Sequence, residues 1–411
     1  MILDKAIELL RRYRLCHNCL GRQFALLLHG MDNSTRGLAL KYTIAFELHR
    51  KILVEKTVPE EVKLLASNMG LKQFDDVVKA LGFKLDYASK PCYICSGVFD
   101  RLEEIVDMVL DALTGYEFRS ILVGVTLPPE VCEKEDEVRS VIALPYGESL
   151  REELSRVLGK RLSSILKVKV DMRKPDVTVV VDPYRMVVEV NPAPIYVKGF
   201  FLKLSPEVPV VSKDLERVGG ETVETLIVRP LMKAFEAMDY RFIIPFRDSK
   251  RTLILGDGRP FVVRFKHPRK RFVDLDELAS EINSRASGLM EVRRLSWASR
   301  SDVAKLRSFK GVEEAKVLVK ADRALRFTEP KRLTVMQLDK SSNVFREETV
   351  ELLDIEKVGE DVYRLRLRYR VGFLVKDFLS GRPRVRPSLK EILKSEMNFL
   401  EIVEINVRGA F

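Results

Sequence analysis

Apolar residues recur with helical spacing at the start of the chain. Positions 2–14 place Ile2, Ala6, Leu9 and Tyr13 on one face, which predicts an amphipathic helix. Similar spacing predicts further helices at about 35–55, 74–81, 148–158, 221–238 and 275–284. These segments account for much of the first part of the chain and for two stretches of the second.

Short β-branched runs predict strands from residue 120 onward. The candidates lie at 120–125, 177–182, 186–190, 252–255, 261–265, 315–320 and 363–369. The runs at 177–182 and 186–190 flank Pro183-Tyr-Arg185, which is typical of a hairpin. Because paired strands alternate with helices, the pattern predicts an α+β fold with a mixed sheet.

The length of the chain, 411 residues, favours more than one domain. Changes in texture along the sequence predict three: a helical unit with two Cys-x-x-Cys pairs at 1–113, a small α/β domain at 114–204, and an α+β domain at 205–411. The first boundary falls where helical spacing gives way to strand signals. The second falls after the predicted hairpin.

The charge balance favours a polyanionic partner. Lys and Arg number 71 against 60 Asp and Glu, a net charge of +11, and phosphates attract such a surface. No apolar run approaches the roughly 18 residues that would span a bilayer, and the first residues lack the unbroken apolar stretch of a signal peptide. We therefore expect an intracellular, cytoplasmic protein that has no membrane partner.

Four of the five cysteines form two Cys-x-x-Cys pairs, Cys16 with Cys19 and Cys92 with Cys95. Two such pairs can surround one tetrahedral Zn²⁺ with four thiolates, so they predict a shared structural zinc. The long separation between the pairs leaves buried or redox-active thiols as the alternative. The fifth, Cys132, is expected to be a small core residue.

A dense basic segment covers residues 241–271. It contains ten Lys or Arg residues, opposed only by Asp248 and Asp257. Such a density predicts a surface or groove that binds phosphates, and Arg382-Pro-Arg-Val-Arg386 adds a second basic loop. The alternative is a pair of solvated faces without a ligand.

Leu255-Gly-Asp-Gly-Arg-Pro-Phe261 reads as an ordinary glycine turn between two strand candidates. It is not a phosphate loop, because no Gly-Lys-Ser/Thr follows and no helix is predicted there. The sequence also has no HExxH, no GxSxG and no GxGxxG after a strand, and its four His leave little for a catalytic triad. Metalloproteases, serine hydrolases and dinucleotide enzymes are therefore disfavoured.

Several motifs together resemble those of archaeal tRNA pseudouridine synthases with an N-terminal zinc knuckle and a THUMP-type RNA-binding domain. They are Cys16-His-Asn-Cys-Leu-Gly-Arg-Gln-Phe24, Cys92-Tyr-Ile-Cys95, Glu189-Val-Asn-Pro-Ala-Pro-Ile-Tyr196, Gly219-Gly-Glu-Thr-Val-Glu-Thr-Leu-Ile-Val-Arg-Pro230, Leu255-Gly-Asp-Gly-Arg-Pro-Phe261, Val371-Gly-Phe-Leu-Val-Lys-Asp-Phe-Leu-Ser-Gly381 and Arg386-Pro-Ser388. The resemblance covers nearly the whole chain, and only the combined set is specific.

This resemblance implies a THUMP-like domain at 114–204 and a pseudouridine-synthase-like catalytic domain at 205–411. The implied activity is the isomerisation of uridine to pseudouridine in the TΨC loop of tRNA, with no organic cofactor. In this family a uridine is flipped from its stack, and an Asp carboxylate assists cleavage of its glycosidic bond.

The expected active-site block departs from the family pattern. Ungapped alignment backwards from Gly256 puts Arg247 on the family's Arg, Asp248 on its Glu, and Ser249 where its catalytic Asp belongs. The family's two pocket Tyr residues fall on Ala315 and Leu374. A shift of one residue would make Asp248 the carboxylate, held ionised by its basic neighbours.

Two hypotheses follow from these departures. The first is an active tRNA pseudouridine synthase that uses Asp248; the second is a degenerate relative that binds tRNA without catalysis, in which Asp248 only pairs with neighbouring Arg side chains. Both predict a monomer that binds tRNA in a salt-sensitive way. The predicted contacts are Arg247, Arg259, Lys266, Arg269, Lys270, Arg271 and Lys376.

Overall fold

The computed structural model describes residues 2–57, 59–82, 90–143, 145, 147–211, 220–245, 251–326, 328–339 and 343–409. The chain divides into two compact units, Met1–Ala193 and Pro194–Phe411, and each has its own hydrophobic core. Helices and mixed sheets occur in both, which confirms the α+β prediction. Among the described helices, none combines the length and apolar character that crossing a membrane requires.

The first unit begins with helices and adds a small sheet. Its helices are α1 Ile2–Arg12, α2 His17–Gly21, α3 Asn33–Glu55, α4 Glu60–Met69, α5 Lys72–Ala80, α6 Leu102–Ala112, α7 Pro129–Ile142 and α8 Leu150–Leu166. Its strands are β1 Ser120–Val125, β2 Lys169–Val170, β3 Val177–Asp182 and β4 Val187–Pro192. Short 3-10 turns at Arg22–Phe24 and Val98–Arg101 follow the two Cys-x-x-Cys segments.

The four strands of the first unit are ordered β2-β1-β3-β4. β1 pairs in parallel with β2 and β3, whereas β3 and β4 form the antiparallel hairpin predicted from the sequence. Along β3 burial alternates strictly, as expected for a strand with one face in the core. The N-terminal helices and this sheet share one core, which runs from Ala6 to Val181.

The second unit is built on one large sheet. Its strands are β5 Ile195–Lys203, β6 Asp239–Ile243, β7 Leu253–Lys266, β8 Met290–Ala298, β9 Val312–Ala321, β10 Lys331–Asp339, β11 Val344–Lys357, β12 Val362–Arg370, β13 Val385–Arg386 and β14 Met397–Arg408. Its helices are α9 Val223–Phe235, α10 Leu275–Arg285, α11 Arg300–Arg307, α12 Val375–Ser380 and α13 Leu389–Leu393. Since β5 pairs with β7 and β8, it belongs to this sheet. The three-domain division stays a prediction.

The large sheet runs in the order β13-β10-β11-β12-β9-β14-β7-β5-β8, and β6 also pairs with β7. β7 has two successive neighbours on one edge. Its start, from Leu253 to Gly256, runs parallel to β14, and its end, from Val262 to Lys266, runs antiparallel to β6. The connection from β6 to β7 therefore enters the sheet beside β14.

The prediction of a turn at Gly256-Asp-Gly258 is wrong, because both strand candidates belong to the single strand β7. The register with β5 slips here, from Phe201 opposite Arg259 to Lys203 opposite Ile254, so the glycines lie in an irregular stretch of the strand. Both have positive φ, +73° and +89°. A Cβ would lie 2.6 Å from the Val407 carbonyl oxygen at Gly256, and 2.8 Å from that of Phe201 at Gly258. Glycine lets both neighbouring strands approach this distortion.

Two glycines also allow α2 and α3 to touch backbone to backbone. A Cβ at Gly21 would lie 1.8 Å from the Asn33 carbonyl oxygen, and one at Gly37 would lie 1.9 Å from that of His17. α2 carries the first Cys-x-x-Cys pair, so this contact fixes the pair against the long helix α3.

We predict that Gly21→Ala destabilises the protein by about 2–3 kcal/mol, because the added methyl group pushes α2 away from α3. Gly159→Ala is the matched control, since a Cβ there meets nothing within 4 Å in the middle of α8. This control should stabilise by about 0.5–1 kcal/mol through the usual helix preference for Ala. Urea unfolding followed by circular dichroism measures both, and equal effects of the two substitutions would contradict the close-contact explanation.

Candidate functional site

Four cysteines meet in the first unit. Cys16 caps the N-terminus of α2, and its sulfur accepts a hydrogen bond from the Cys19 amide at 3.4 Å. The amide of Cys16 in turn donates to the sulfur of Cys92 at 3.3 Å. All four sulfur atoms, including that of Cys95, lie within 4.8 Å of one another. The two pairs therefore form one cluster, although a long insert separates them in the sequence.

The spacing of the sulfur atoms fits one tetrahedral metal ion. Zn–S bonds of about 2.3 Å place tetrahedral sulfur ligands roughly 3.8 Å apart, and the sulfurs of Cys16 and Cys95 are 3.7 Å apart. A disulfide would need a separation of about 2.05 Å, and all five cysteines are free. The cluster is thus suited to a structural metal.

Arg22 connects the cysteine cluster to helices α7 and α8. Its guanidinium is fully buried and donates from Nη1 to the sulfur of Cys19 at 2.8 Å. Nε donates to Glu135 of α7 at 2.9 Å, and Nη1 lies 3.8 Å from Glu153 of α8. Burial raises the pKa of Glu153, against the opposing effects of Asn18 and Arg22. A buried cation next to a thiolate stabilises its charged, metal-binding form.

Two other polar residues lie near the cluster without joining it. Lys41 is buried and donates from Nζ to the carbonyl oxygens of Leu15 and Met69, each at 2.6 Å. Burial lowers the pKa of Lys41 to about 8. His17 is half-buried, and burial lowers its pKa to about 4. Cys132 lies half-buried on α7 against the core.

The segment that carries the predicted catalytic positions precedes β7 in the sequence. Arg247, Asp248 and Ser249 lie outside the described residues, but the chain is described again from Arg251. Thr252 is buried there, and its hydroxyl donates to the Ile402 carbonyl oxygen of β14 at 2.8 Å.

Lys203, the last residue of β5, also contacts Thr252. It is fully buried, and its Nζ donates to the Thr252 carbonyl oxygen at 3.0 Å. The end of the segment that carries Asp248 is therefore fixed between β5 and β14. Sequence reasoning missed Lys203; a lone Lys at the end of an apolar strand, Phe200-Phe-Leu-Lys203, was the available signal.

α12 brings Lys376 next to β14, the strand that also accepts the hydrogen bond from Thr252. The Nζ of Lys376 lies 5.4 Å from the centre of the Phe399 ring on β14, three residues before Ile402. Leu374, at the position of a family Tyr, caps α12, and its amide donates to Gln337 Oε1 at 2.8 Å. Lys376 is thus the predicted RNA contact that lies along β14 towards the start of β7.

Two predicted site positions lie in the interior. Ala315 is fully buried in the centre of β9, where it pairs with Leu367 and Ile405. Arg259 is 1% exposed and its guanidinium donates to Glu313. Arg259 therefore stabilises the strand arrangement and does not present its charge to a ligand at the surface.

The other predicted basic contacts lie towards the far end of β7. Lys266 is partly exposed and pairs with Asp239 at 2.5 Å. Just after β7, Arg269 is exposed, while Lys270 and Arg271 are half-buried. The backbone amides of Arg269 and Lys270 donate to the Phe235 carbonyl oxygen at 3.1 and 3.0 Å, which attaches this segment to the end of α9.

The second basic loop is anchored by a buried acid. Asp377 of α12 is 3% exposed, and its carboxylate lies 2.8 Å from Arg384 and 3.5 Å from Arg382. The backbone amide of Arg382 also donates to the Asp377 carbonyl oxygen at 3.1 Å. This arrangement holds two cations at the surface next to the helix that carries Lys376.

Comparison with known proteins identifies relatives over the full length of the chain. The family model described as the archaeal Pus10 THUMP domain matches residues 105–182, and that described as the Pus10 C-terminal domain matches residues 196–408. A tRNA pseudouridine synthase Pus10 from Thermofilum pendens is 31% identical and covers 98% of this chain and 95% of its own length. Those of Methanopyrus kandleri and Pyrococcus furiosus are each 30% identical, with coverage of 99% and 98% of both chains. These matches confirm the resemblance seen in the motifs.

We predict that Arg22→Met weakens metal binding by about 10- to 100-fold, the usual effect of removing a group that supports a ligand. Arg101→Met is the matched control, because its guanidinium pairs with the exposed Glu104. Competition with a coloured chelator measures both affinities. Equal affinities in the two variants would mean that the bond from Arg22 to Cys19 does not support the metal centre.

Proposed function

The chain belongs to the Pus10 family, and from that premise we propose that it isomerises uridine to pseudouridine in the TΨC loop of tRNA. The observation that carries the proposal is the full-length similarity to relatives named tRNA pseudouridine synthases. The net charge of +11 supports a nucleic-acid substrate. We further propose that the protein acts as a monomer in the cytoplasm.

In the proposed reaction the target uridine leaves its stack, which costs a few kcal/mol that contacts with the rest of the RNA must offset. The bond between N1 of uracil and C1′ of ribose breaks, the uracil rotates while it is held, and a bond from C5 to C1′ forms. The C5 proton is lost and N1 gains one, so the product is an isomer of the substrate. No organic cofactor takes part.

We assign the carboxylate that assists this cleavage to Asp248. The fixed positions of Thr252 and the buried Lys203 support this choice, because the segment carrying Asp248 ends there. The positive charges of Arg247, Lys250 and Arg251, its neighbours in the sequence, favour the ionised form of its carboxylate. The carboxylate acts either by attacking the sugar or as a base.

A second candidate function is tRNA binding without catalysis. The buried Ala315 favours it, since a methyl group in the core offers no ring against which a flipped base could stack. Leu374 and Ser249 are the other departures from the family pattern. In both candidate functions, Lys266, Arg269, Lys270, Arg271 and Lys376 contact phosphates, together with Arg247.

For the metal centre we propose zinc. Four thiolates are the ligand set that structural Zn²⁺ prefers, and the spacing of the sulfurs in the cluster supports it. The metal would hold α2 to the second Cys-x-x-Cys segment and take no part in the reaction.

We predict that Asp248→Asn lowers pseudouridine formation on unmodified tRNA transcript by about a hundred- to ten-thousandfold, with tRNA affinity kept. Asp257→Asn is the matched control, because Asp257 is the other acid of the basic segment. Mass spectrometry of the digested tRNA gives the product, and anisotropy of labelled tRNA gives the affinity.

The other outcomes separate the alternatives. Product that persists in Asp248→Asn would place the carboxylate elsewhere. No product from the wild type despite tight tRNA binding would favour the binding protein, and recovery of product in Ser249→Asp would then identify the lost group.

We predict one equivalent of zinc per chain in purified protein, lost in Cys16→Ala and in Cys92→Ala. Cys132→Ala is the matched control and should keep its zinc, because Cys132 lies outside the cluster. Elemental analysis by mass spectrometry measures the content. Half an equivalent lost in each variant, or a metal other than zinc, would contradict the proposal.

A further inference from the structure

The single tryptophan of the chain, Trp297, lies half in water. Its relative exposure is 48%, and it belongs to β8, the last strand in the order of the large sheet. Single exposed apolar residues are common, so exposure alone assigns no role. The surroundings of the indole are what distinguish it.

Trp297 is held in place from the protein side. Its ring lies 5.8 Å from that of Phe235, measured between centroids, and Phe235 is fully buried at the end of α9. Phe235 in turn packs at 5.1 Å against Phe265 of β7. The cross-strand partner of Trp297 is the buried Val197. An indole supported in this way loses little further freedom when a second flat ring lies against it.

The same Phe235 connects Trp297 to the basic segment. Its carbonyl oxygen accepts the amides of Arg269 and Lys270, so the backbone of this segment lies next to the residue whose ring supports the indole. Phe272, one residue beyond Arg271, is 51% exposed. Exposed aromatic rings beside basic side chains are the combination that binds single-stranded nucleic acid, in which bases stack and phosphates pair.

We propose that Trp297 is a stacking platform for an unpaired nucleobase of the bound RNA, whose backbone follows the segment 269–271. The proposal rests on the proposed function, because it takes the partner to be RNA. It adds a second contact, separate from the site proposed to act on the target uridine. Val197, opposite Trp297, pairs with Val263, which lies seven residues along β7 from Gly256. At about 3.3 Å per residue, Val263 lies roughly 20 Å along the strand from Gly256.

The alternative is a purely structural role, in which the indole only covers the buried ring of Phe235 at the edge of the core. The two readings differ in what RNA does to the indole. Stacking changes its fluorescence and shields it from solvent quenchers, whereas a purely structural indole is unaffected by RNA.

Because Trp297 is the only tryptophan, its fluorescence reports on this site without labelling. We expect tRNA and single-stranded oligouridylate to quench it and to protect it from iodide, and a blunt RNA duplex to have little effect. Unchanged fluorescence while the anisotropy of labelled tRNA reports binding would overturn the proposal and leave the proposed function intact. If tRNA does not bind, the proposed function fails, and the response to oligouridylate still decides whether Trp297 stacks.

Variants separate stacking from packing. Trp297→Ala should weaken tRNA binding by about five- to 150-fold, while Trp297→Phe, which keeps an aromatic face, should retain most of it. The slope of log affinity against log salt should stay unchanged in both, since no phosphate contact is lost. Lys270→Ala should make that slope shallower by about 0.7–0.9. Equal loss in Trp297→Ala and Trp297→Phe, or loss that follows a lowered thermal midpoint, would mean that the residue acts only in packing.

Discussion

The change of partner along β7 is the constraint on which the second unit depends. A strand edge pairs with one neighbour at a time, so β6 can begin to pair only where β14 has ended. The distortion starts at Gly256, the last residue of β7 that pairs with β14, and continues to Gly258. The approach of β14 and β5 there leaves no room for a side chain on either residue. With β14 on its edge, the connection from β6 must reach Thr252 beside Ile402. Sheet topology, and not a loop motif, therefore determines where the candidate carboxylate segment ends.

Buried charged side chains fix the relative positions of the helices, strands and loops within each unit. Arg22, Arg259, Lys203 and Asp377 are each at most 3% exposed, and each has a charged or carbonyl partner on a different element or loop. Removing such a charge from water is costly unless its partner is well placed. Every one of these contacts thus penalises a shift of the elements that it joins. The basic composition of the chain consequently serves the interior as well as the surface.

Sequence patterns predicted the elements whose burial alternates clearly and failed where tertiary contacts decide. The hairpin of β3 and β4, the helices α9 and α10 and the pairing of the two Cys-x-x-Cys segments could be read from spacing and residue type. β7 was divided in two, because Gly and Pro inside Leu255–Phe261 signal a turn unless the neighbouring strands are known. Arg259 was expected at the surface for a similar reason: density of charge along the chain does not reveal that Glu313 lies opposite it. Lys203 gave too little local signal, since its importance depends on Thr252, which lies far from it in sequence.

The cysteine cluster also has a consequence for how the family could vary in length. Some 70 residues, which include α3, α4 and α5, separate Cys19 from Cys92. The entropy of closing such a loop rises only with the logarithm of its length, so that doubling it adds roughly 0.6 kcal/mol. Insertions or deletions near the exposed start of α4 or the exposed end of α5 would thus barely change the free energy of bringing the thiolates together. By contrast, the few residues from Cys16 to Arg22 are held by sulfur, by α3 and by two acids at once, and should tolerate no change in length.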